Sequence, residues 1–196
     1  MKIVTLGTRN RDKLREIGEI LLGVPVQLRP LPADAVEVDE DAPTVAGNAR
    51  KKATEYAAQV ETWVVADDTG LEVDALGGAP GVRAARYAGP EATYADNRRK
   101  LLDALGDVPD ERRAARFRCV LVLASPAGEV LAEAEGTLEG TITADERGEG
   151  GFGYDPIFLP AGEARTLAEL SASEKNRLSH RASALKALVP HLLELL

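Results

Sequence analysis

Apolar and polar residues follow one another along the chain in a pattern that predicts strands and helices in turn. A short apolar run, Ile3–Leu6, precedes a helical pattern over residues 11–22, and a second short run follows at Val24–Leu28. A longer helical pattern over Val45–Val60 then precedes the apolar run Trp63–Ala66. Short apolar runs that alternate with longer helical patterns are typical of a sheet covered by helices. The first third of the chain therefore predicts an α/β fold.

The remaining two thirds of the chain continue this alternation and add a hairpin. Residues 71–76 alternate like a half-exposed strand, and Thr93–Leu105 has the pattern of a helix. Residues 116–124 and 129–138 predict the two strands of a hairpin. A leucine-rich helix from Ala182 to Leu195 is predicted to close the chain.

Length, charge and cysteine content narrow the class of protein. A chain of 196 residues fits one domain, with or without two lobes. It has 24 Lys and Arg against 32 Asp and Glu and no sustained basic run, which argues against a protein that coats nucleic acid or an anionic membrane. The only cysteine is Cys119, and no apolar run approaches the roughly 20 residues that span a bilayer. We therefore expect a cytoplasmic protein without nucleic-acid or membrane partners.

The first strand, its turn and the following helix form a candidate anion site. A helix N-terminus presents free N–H groups and a partial positive charge. Thr8 and Asn10 add short polar groups in the turn, and Lys13 adds a cation one helical turn later, so phosphate is the first ligand to consider. The alternative is ordinary capping by Asn10 with Lys13 in solvent. The stretch alone leaves both interpretations open.

Two acidic stretches are candidate cation or catalytic sites. Val36–Asp41 carries four carboxylates within five residues, which favours a solvated loop over part of a cation site. The buried run Trp63–Ala66 ends in Asp67 and Asp68, and α/β proteins often place reactive groups at the carboxyl end of such a strand. Neighbouring strand residues point to opposite faces, so only one of these aspartates can face a given cleft. The alternative is an Asx-type turn that ends the strand.

A glycine-rich stretch, residues 148–158, is a candidate base-binding loop. Its four glycines surround Phe152 and Tyr154, so the backbone could approach a flat ligand while a ring stacks on it. The alternative is a tight turn with core aromatics. Near the end of the chain, His180 and Arg181 follow Ser179 in the first turn of the last helix, where cations are disfavoured unless an anion or acceptor is close.

Five ordered motifs resemble the inosine triphosphate pyrophosphatase family, also called dITP/XTP pyrophosphatases. In chain order the motifs are Thr8-x-Asn10-x-x-Lys13-x-x-Glu16, Ala66-Asp67-Asp68-Thr69-Gly70-Leu71, Leu76-Gly77-Gly78-Ala79-Pro80-Gly81-Val82, Gly151-Phe152-Gly153-Tyr154-Asp155-Pro156 and Ser179-His180-Arg181. The resemblance runs from residue 3 to about residue 190. One departure is Arg9, where many relatives have glycine.

The resemblance implies an enzyme that cuts a nucleoside triphosphate between the α and β phosphates and releases pyrophosphate. Its substrates would be the deaminated purine nucleotides ITP, dITP and XTP. The implied fold is α/β, with a long twisted mixed β-sheet, helices and two lobes flanking a central nucleotide-binding cleft, in one domain over residues 1–196. A homodimer with Mg²⁺ is also implied.

The same resemblance implies roles for individual residues. Asp68 would be the catalytic carboxylate, and Glu40 would join it in holding Mg²⁺. The residues implied at the triphosphate are Thr8, Arg9, Asn10, Lys13, Lys52 and Thr69. The residues implied at the base are Phe152, Gly153, Tyr154, Asp155, Lys175, His180 and Arg181. Arg181 would donate to the 6-oxo group that distinguishes inosine and xanthine from adenine. Glu16 would either orient Lys13 or add an acidic group near the metal.

Two other functions remain open at this point. A Maf-like pyrophosphatase for modified pyrimidine nucleotides is one, although the Phe152–Asp155 loop and the Ser179–Arg181 segment argue against it. A nucleotide-binding module without turnover is the other. Turnover of a panel of nucleotides distinguishes the Maf-like enzyme from an enzyme that prefers ITP and XTP. Release of pyrophosphate distinguishes either enzyme from a binding module.

Overall fold

The computed structural model describes residues Lys2 to Glu194 and contains the predicted alternation of strands and helices. The strands and α-helices are β1 (Ile3–Leu6), α1 (Arg11–Ile20), β2 (Gln27–Pro30), α2 (Val45–Val60), β3 (Trp63–Val73), β4 (Pro80–Gly81), α3 (Tyr94–Leu105), β5 (Ala114–Ala124), β6 (Val130–Ile142), β7 (Phe158–Pro160), α4 (Ala172–Leu178) and α5 (His180–Glu194). The predicted end of the last helix at Leu195 lies outside the described residues. Among the helices between Lys2 and Glu194, none combines the length and apolarity needed to cross a membrane.

The strands form one mixed sheet, which confirms the predicted α/β class. Six of them lie in the order β2-β1-β3-β5-β6-β7, and β4 pairs with β3. Strand β1 is parallel to both β2 and β3, whereas β4 is antiparallel to β3 and β7 is antiparallel to β6. Strand β3 therefore lies inside the sheet, with a hydrogen-bonded neighbour on each side.

The chain divides into two compact units, and each has its own apolar core. Unit 1 comprises the residues up to Asp68, Cys119–Gly136 and the residues from His180 onward. Its core consists of two clusters, one with Ile17 and Leu185 and one with Tyr56 and Val122. Unit 2 comprises Thr69–Arg118 and Thr137–Ser179, and its cluster contains Leu101, Phe117 and Phe158. The described apolar residues thus supply a core to each unit.

Local capping explains the helix ends that the sequence predicted correctly. The Thr44 side chain accepts the Gly47 N–H at the start of α2. Thr93 and Asp96 form a reciprocal capping box at the start of α3, and Gly106 ends that helix. Strand β2 begins three residues later than predicted, because backbone hydrogen bonds from Val24 and Val26 close a turn after α1.

The largest difference from the prediction lies in β3. The sequence indicated a strand that ends at Ala66, but the strand continues through Asp67, Asp68, Thr69 and Gly70 to Val73. The expected sheet-edge junction and the Asx-turn alternative are therefore both wrong. The physical reason is that cations from helices distant in sequence bind the two carboxylates, so the aspartates can be buried within a strand.

Candidate functional site

Unit 1 contains a buried group of charges that we call the ionic cluster. Its members are the charged side chains joined by ion pairs around the two aspartates of β3, namely Lys13, Glu16, Glu40, Lys52, Asp67, Asp68 and Arg181. Three cations face four carboxylates, so the cluster keeps one formal negative charge in excess. An excess negative charge in a buried setting favours a further cation at this place.

Asp67 forms the structural centre of the ionic cluster. Its carboxylate is fully buried and lies 3.0 Å from Nζ of Lys13 and 3.4 Å from Nη2 of Arg181. Burial alone would raise the pKa of Asp67, but the charges of Lys13 and Arg181 outweigh burial and hold that pKa well below its usual range. Asp67 therefore stays ionised and links α1 to α5 through β3.

Arg181 lies in the first turn of α5 with its side chain 2 % exposed. Its Nη1 atom bonds the Glu16 carboxylate, and its Nε and Nη2 atoms lie 3.4 Å from Asp67. This arrangement differs from the expectation that Arg181 donates to the base, because two buried carboxylates already hold the guanidinium. Glu16 thus pairs with Arg181, a partner that neither sequence interpretation of Glu16 included.

A glycine in β6 allows α5 to bring Arg181 and His180 to this position. A side chain on Gly136 would overlap the carbonyl oxygen of His180 and would come within 2.5 Å of the Ala184 nitrogen. His180 is itself only 4 % exposed. The close approach of helix and strand therefore buries the first turn of α5, and with it both basic residues.

Asp68 points to the opposite side of β3, as strand alternation requires. Its Oδ2 atom accepts the side-chain amide of Asn48 at 3.3 Å, and its Oδ1 atom lies 3.4 Å from Nζ of Lys52. The same Nζ lies 2.5 Å from Oε1 of Glu40. Burial raises the pKa of Asp68, and the nearby carboxylates of Glu40 and Asp67 act in the same direction. The positive charge of Lys52 opposes this shift in the pKa but does not cancel it.

The donor set around Lys52 fits a divalent metal ion. Two carboxylates, from Glu40 and Asp68, meet at one cationic centre, and Mg²⁺ is commonly held by one or two carboxylates together with substrate phosphates and water. Within residues 2–194, no group of three or more His, Cys, Asp or Glu side chains is arranged to hold a metal ion. The pair of Glu40 and Asp68 therefore suits a metal ion only together with ligands from outside this set.

The acidic loop before α2 was interpreted from the sequence either as a solvated loop or as part of a cation site, and different residues fit each interpretation. Glu37, Asp39 and Asp41 are exposed, and Asp41 pairs with Lys51 at 2.7 Å, as in a solvated loop. Glu40 is half-buried and contacts Lys52 instead. One residue of the acidic run therefore belongs to the ionic cluster.

The turn before α1 shows the capping that the sequence offered as the alternative to an anion site. Asn10 Oδ1 accepts the N–H groups of Asp12 and Lys13 at 2.9 and 3.2 Å, and Thr8 Oγ1 accepts the Asn10 N–H at 3.2 Å. Lys13 does not extend into solvent, because it pairs with Asp67. Arg9 is exposed and donates to the Ala35 carbonyl.

Unit 2 contains the second group, which we call the aromatic loop and define as residues 151–155 with Lys175. Asp155 accepts the Phe152 N–H at 2.8 Å and the Lys175 ammonium at 2.5 Å. Nζ of Lys175 also lies 4.7 Å from the centre of the Phe152 ring, within cation–π distance. Gly151 has a φ of +67°, and a side chain there would overlap the Asp155 carboxylate. The loop thus holds a half-buried ring over a fixed ammonium.

Tyr154 belongs to the core of unit 2 and not to the surface of the aromatic loop. Its ring lies in the apolar cluster with Phe158, and its hydroxyl donates to the Ala84 carbonyl at 2.8 Å. Burial raises the pKa of Tyr154 far above its usual range. The ring of Tyr154 thus packs as in the core alternative, that Tyr154 borders the base stays a prediction, and Phe152 is the more accessible of the two rings.

The structure brings together some of the predicted residues and adds others. Glu40, Lys52 and Asp68 meet in unit 1, and Phe152, Asp155 and Lys175 meet in unit 2. Thr69 is a half-buried residue of β3, and Gly153 forms part of the loop turn with a φ of +63°. The residues that the sequence interpretation left out of the site are Asn48, Asp67, Tyr94 and Arg98. A signal existed for Asn48, because it lies four residues before Lys52 on one face of α2.

Comparisons with known proteins find relatives over nearly the whole chain. The model of the Ham1 family matches residues 4–191. A dITP/XTP pyrophosphatase of Syntrophobacter fumaroxidans is 50 % identical over 192 residues, covering 95 % of this chain and 80 % of the relative. A dITP/XTP pyrophosphatase of Rhodopirellula baltica is 45 % identical and covers 98 % of this chain and 93 % of the relative.

A solved structure gives the same result for the fold. The HAM1 protein of Coxiella burnetii superposes with a TM-score of 0.87 at 39 % identity, over 99 % of this chain and 100 % of that chain. The resemblance inferred from the five motifs is therefore confirmed. Since sequence and fold both match over nearly the whole length, the chain belongs to the Ham1 family.

Proposed function

We propose that the chain hydrolyses deaminated purine nucleoside triphosphates, namely ITP, dITP and XTP, to the monophosphate and pyrophosphate. The observation that carries the proposal is the convergence of Glu40 and Asp68 on the Lys52 ammonium within the ionic cluster. The relatives named dITP/XTP pyrophosphatases support the substrate class. Removal of such nucleotides before they enter nucleic acid is the corresponding role.

Unit 1 supplies the groups for the chemical step. In hydrolysis, water attacks the α-phosphorus, the bond to the bridging oxygen breaks, and pyrophosphate leaves with the electron pair. Asp68 would accept the proton of that water, and Asn48 would orient its carboxylate through the 3.3 Å amide contact. Lys52 and Lys13 would face the phosphate oxygens, which need cations close to them.

Mg²⁺ is the metal of this proposal, held by Glu40 and Asp68. Bound there, it would neutralise phosphate charge and lower the pKa of water. The ion pairs of Lys52 support this assignment, because its ammonium lies 2.5 Å from Glu40 and 3.4 Å from Asp68. Thr8, Arg9, Asn10 and Thr69 remain predicted contacts of the triphosphate, with Arg9 the weakest because its side chain is directed to Ala35.

Unit 2 supplies groups suited to the base. Phe152 offers a half-buried ring for stacking, and Asp155 keeps the Lys175 ammonium beside it. An ammonium is a donor, so it matches the 6-oxo acceptor of inosine and xanthine and faces an unfavourable 6-amino donor in adenine. Gly153, Tyr154 and His180 remain predicted neighbours of the base.

Pyrophosphate release from ITP, dITP and XTP tests the proposal. With Mg²⁺ we expect turnover of all three, and excess EDTA should abolish it. Pyrimidine triphosphates and their modified forms serve as the comparison, because faster turnover of these would favour the Maf-like alternative. No pyrophosphate from any purine nucleotide would leave only a binding module.

A homodimer and a cytoplasmic location complete the proposal. The resemblance to dITP/XTP pyrophosphatases supports the dimer, and the single buried cysteine suits a reducing compartment. Light scattering of the purified protein should give twice the 20.8 kDa chain mass. A mass equal to one chain at micromolar concentration would contradict the dimer.

A further inference from the structure

Helix α3 contacts the aromatic loop through two side chains that lie one turn apart. The Thr93–Asp96 capping box fixes the start of the helix, with the Thr93 N–H 3.0 Å from Asp96 Oδ2 and the Asp96 N–H 3.2 Å from Thr93 Oγ1. Tyr94 is the first helical residue, and Arg98 follows four residues later on the same face. The helix therefore presents an aromatic ring and a guanidinium to one side.

Arg98 fixes the backbone of the loop next to Phe152. Its Nη1 atom donates to the Gly153 carbonyl at 2.8 Å, and its Nε atom donates to the Glu146 carboxylate at 2.8 Å. The Arg98 side chain is only 14 % exposed, so solvent competes weakly with these contacts. The peptide that follows Gly153, one residue after Phe152, is therefore held by α3.

Tyr94 contacts the Phe152 ring itself. The two ring centres are 5.9 Å apart and the planes are tilted by 44°, which lies in the favourable range for an aromatic pair. Among the described residues, the apolar cluster of unit 2 includes neither ring, and Tyr94 is 39 % exposed. Core packing therefore does not account for this pair.

We propose that Tyr94 is a positioning residue that orients Phe152 for stacking on the purine. The inference rests on the proposed function. Three contacts hold Phe152. Asp155 accepts its backbone N–H, the Lys175 ammonium lies over its ring, and the Tyr94 ring packs against it. A ring already fixed in its bound orientation loses less conformational entropy when a ligand stacks on it. Tyr94 lies outside the five sequence motifs, so only the folded chain reveals it.

Steady-state hydrolysis of ITP by the full chain tests this role. Tyr94→Ala should raise KM about three- to tenfold, the range expected for loss of an aromatic pair, while kcat changes less than about twofold. Tyr94→Phe should keep the KM of the unmodified protein, because the ring without its hydroxyl still contacts Phe152. Val130→Ala removes a comparably exposed apolar side chain in β6 of unit 1 and should leave KM unchanged.

Two further measurements separate positioning from a general structural effect. In a Phe152→Leu background, Tyr94→Ala should add no further increase in KM, because the pair is already lost. The inhibition constant of inorganic triphosphate, which has no base, should be the same for Tyr94→Ala and the unmodified protein. Thermal melting checks that each variant folds, and Tyr94→Leu provides a second variant that keeps apolar bulk without a ring.

The outcomes distinguish this inference from the proposed function. An unchanged KM for both Tyr94→Ala and Tyr94→Leu, with KM raised in Phe152→Leu, overturns the positioning role and leaves the proposed function standing. An equal increase in KM in the Phe152→Leu background also overturns it, because Tyr94 would then act independently of Phe152. Absence of ITP hydrolysis by the unmodified protein overturns the proposed function, and the inference fails with it.

Discussion

The ionic cluster of unit 1 and the aromatic loop of unit 2 differ in the kind of side chain that they present. In the ionic cluster, five buried or half-buried charged side chains surround two adjacent buried aspartates. In the aromatic loop, one buried ion pair, Lys175 with Asp155, supports a half-exposed ring. Fixed charges suit a reaction that develops charge on phosphate, and a supported ring suits recognition of a flat base. We therefore expect changes in unit 1 to affect kcat or stability and changes in unit 2 to affect KM.

The largest expected effect is on turnover, from Asp68→Asn. The amide cannot accept the proton of the attacking water, so kcat for ITP should fall about 10²- to 10⁴-fold. Binding of ITP, measured by calorimetry, should remain detectable. Asp41→Asn is the matched control, because Asp41 is an exposed carboxylate of the loop that also carries Glu40. A kcat within twofold of the unmodified value for Asp68→Asn would remove Asp68 from the chemical step.

Asp67→Asn should instead reduce stability. The change leaves the buried guanidinium of Arg181 and the half-buried ammonium of Lys13 without the carboxylate between them, and loss of one partner from a buried ion pair costs about 3–5 kcal/mol. Urea unfolding of the variant and the unmodified protein measures the difference in the free energy of unfolding. A difference below about 0.5 kcal/mol, the size expected at surface positions, would show that Asp67 is not the structural centre of the ionic cluster.

Phe152→Leu tests the role of the aromatic loop in substrate binding. Leucine keeps apolar bulk but offers no ring face, and stacking of a base on an aromatic ring contributes about 1–3 kcal/mol, so KM for ITP should rise about five- to hundredfold. The kcat should stay within about threefold, because the ionic cluster is unchanged. Separate determination of kcat and KM provides the test. A loss confined to kcat would contradict the division of roles between the two units.

The smallest expected effect is the pH dependence of a cap on α4. The Arg165 side chain and the Ser171 N–H lower the pKa of Glu174 from 4.5 to about 2. Because the pKa of Glu174 is lower in the folded protein than in the unfolded chain, its ionised carboxylate stabilises the folded state. This stabilisation is fully present above pH 4.5 and is lost as pH falls towards 2.

Melting temperatures of Glu174→Gln and the unmodified protein check this sign. The unmodified protein should melt higher at pH 7, and the gap should narrow as pH falls from about 4.5 towards 2. A gap that widens as the solution becomes more acidic would contradict the assignment.

Elements with local signals were predictable from the sequence, whereas elements that depend on distant partners were not. Thr44 and Thr93 begin helices by accepting N–H groups a few residues away, so a short window reveals them. Strand β3 was predicted to end at Ala66, before Asp67, because nothing near Asp67 in sequence neutralises its charge. The neutralising groups are Lys13 and Arg181, the latter 114 residues further along.

The candidate site divides in the same way. The family resemblance supplied Asp68, Glu40 and Lys52, and the structure brings these three together. The pairing of Arg181 with Glu16 joins residues 165 positions apart, and no sequence spacing predicts it. Tyr94 was not found either, because its contact with Phe152 exists only after α3 packs against the loop.

The most direct test of the central claim is the ratio of kcat/KM for ITP to that for ATP, with pyrophosphate and orthophosphate measured separately. The account predicts a ratio of at least about 100, since a donor placed for a 6-oxo group rejects a 6-amino group strongly. It also predicts pyrophosphate as the product, with one molecule formed for each inosine monophosphate. Equal kcat/KM values for ITP and ATP, or orthophosphate as the main product, would contradict it.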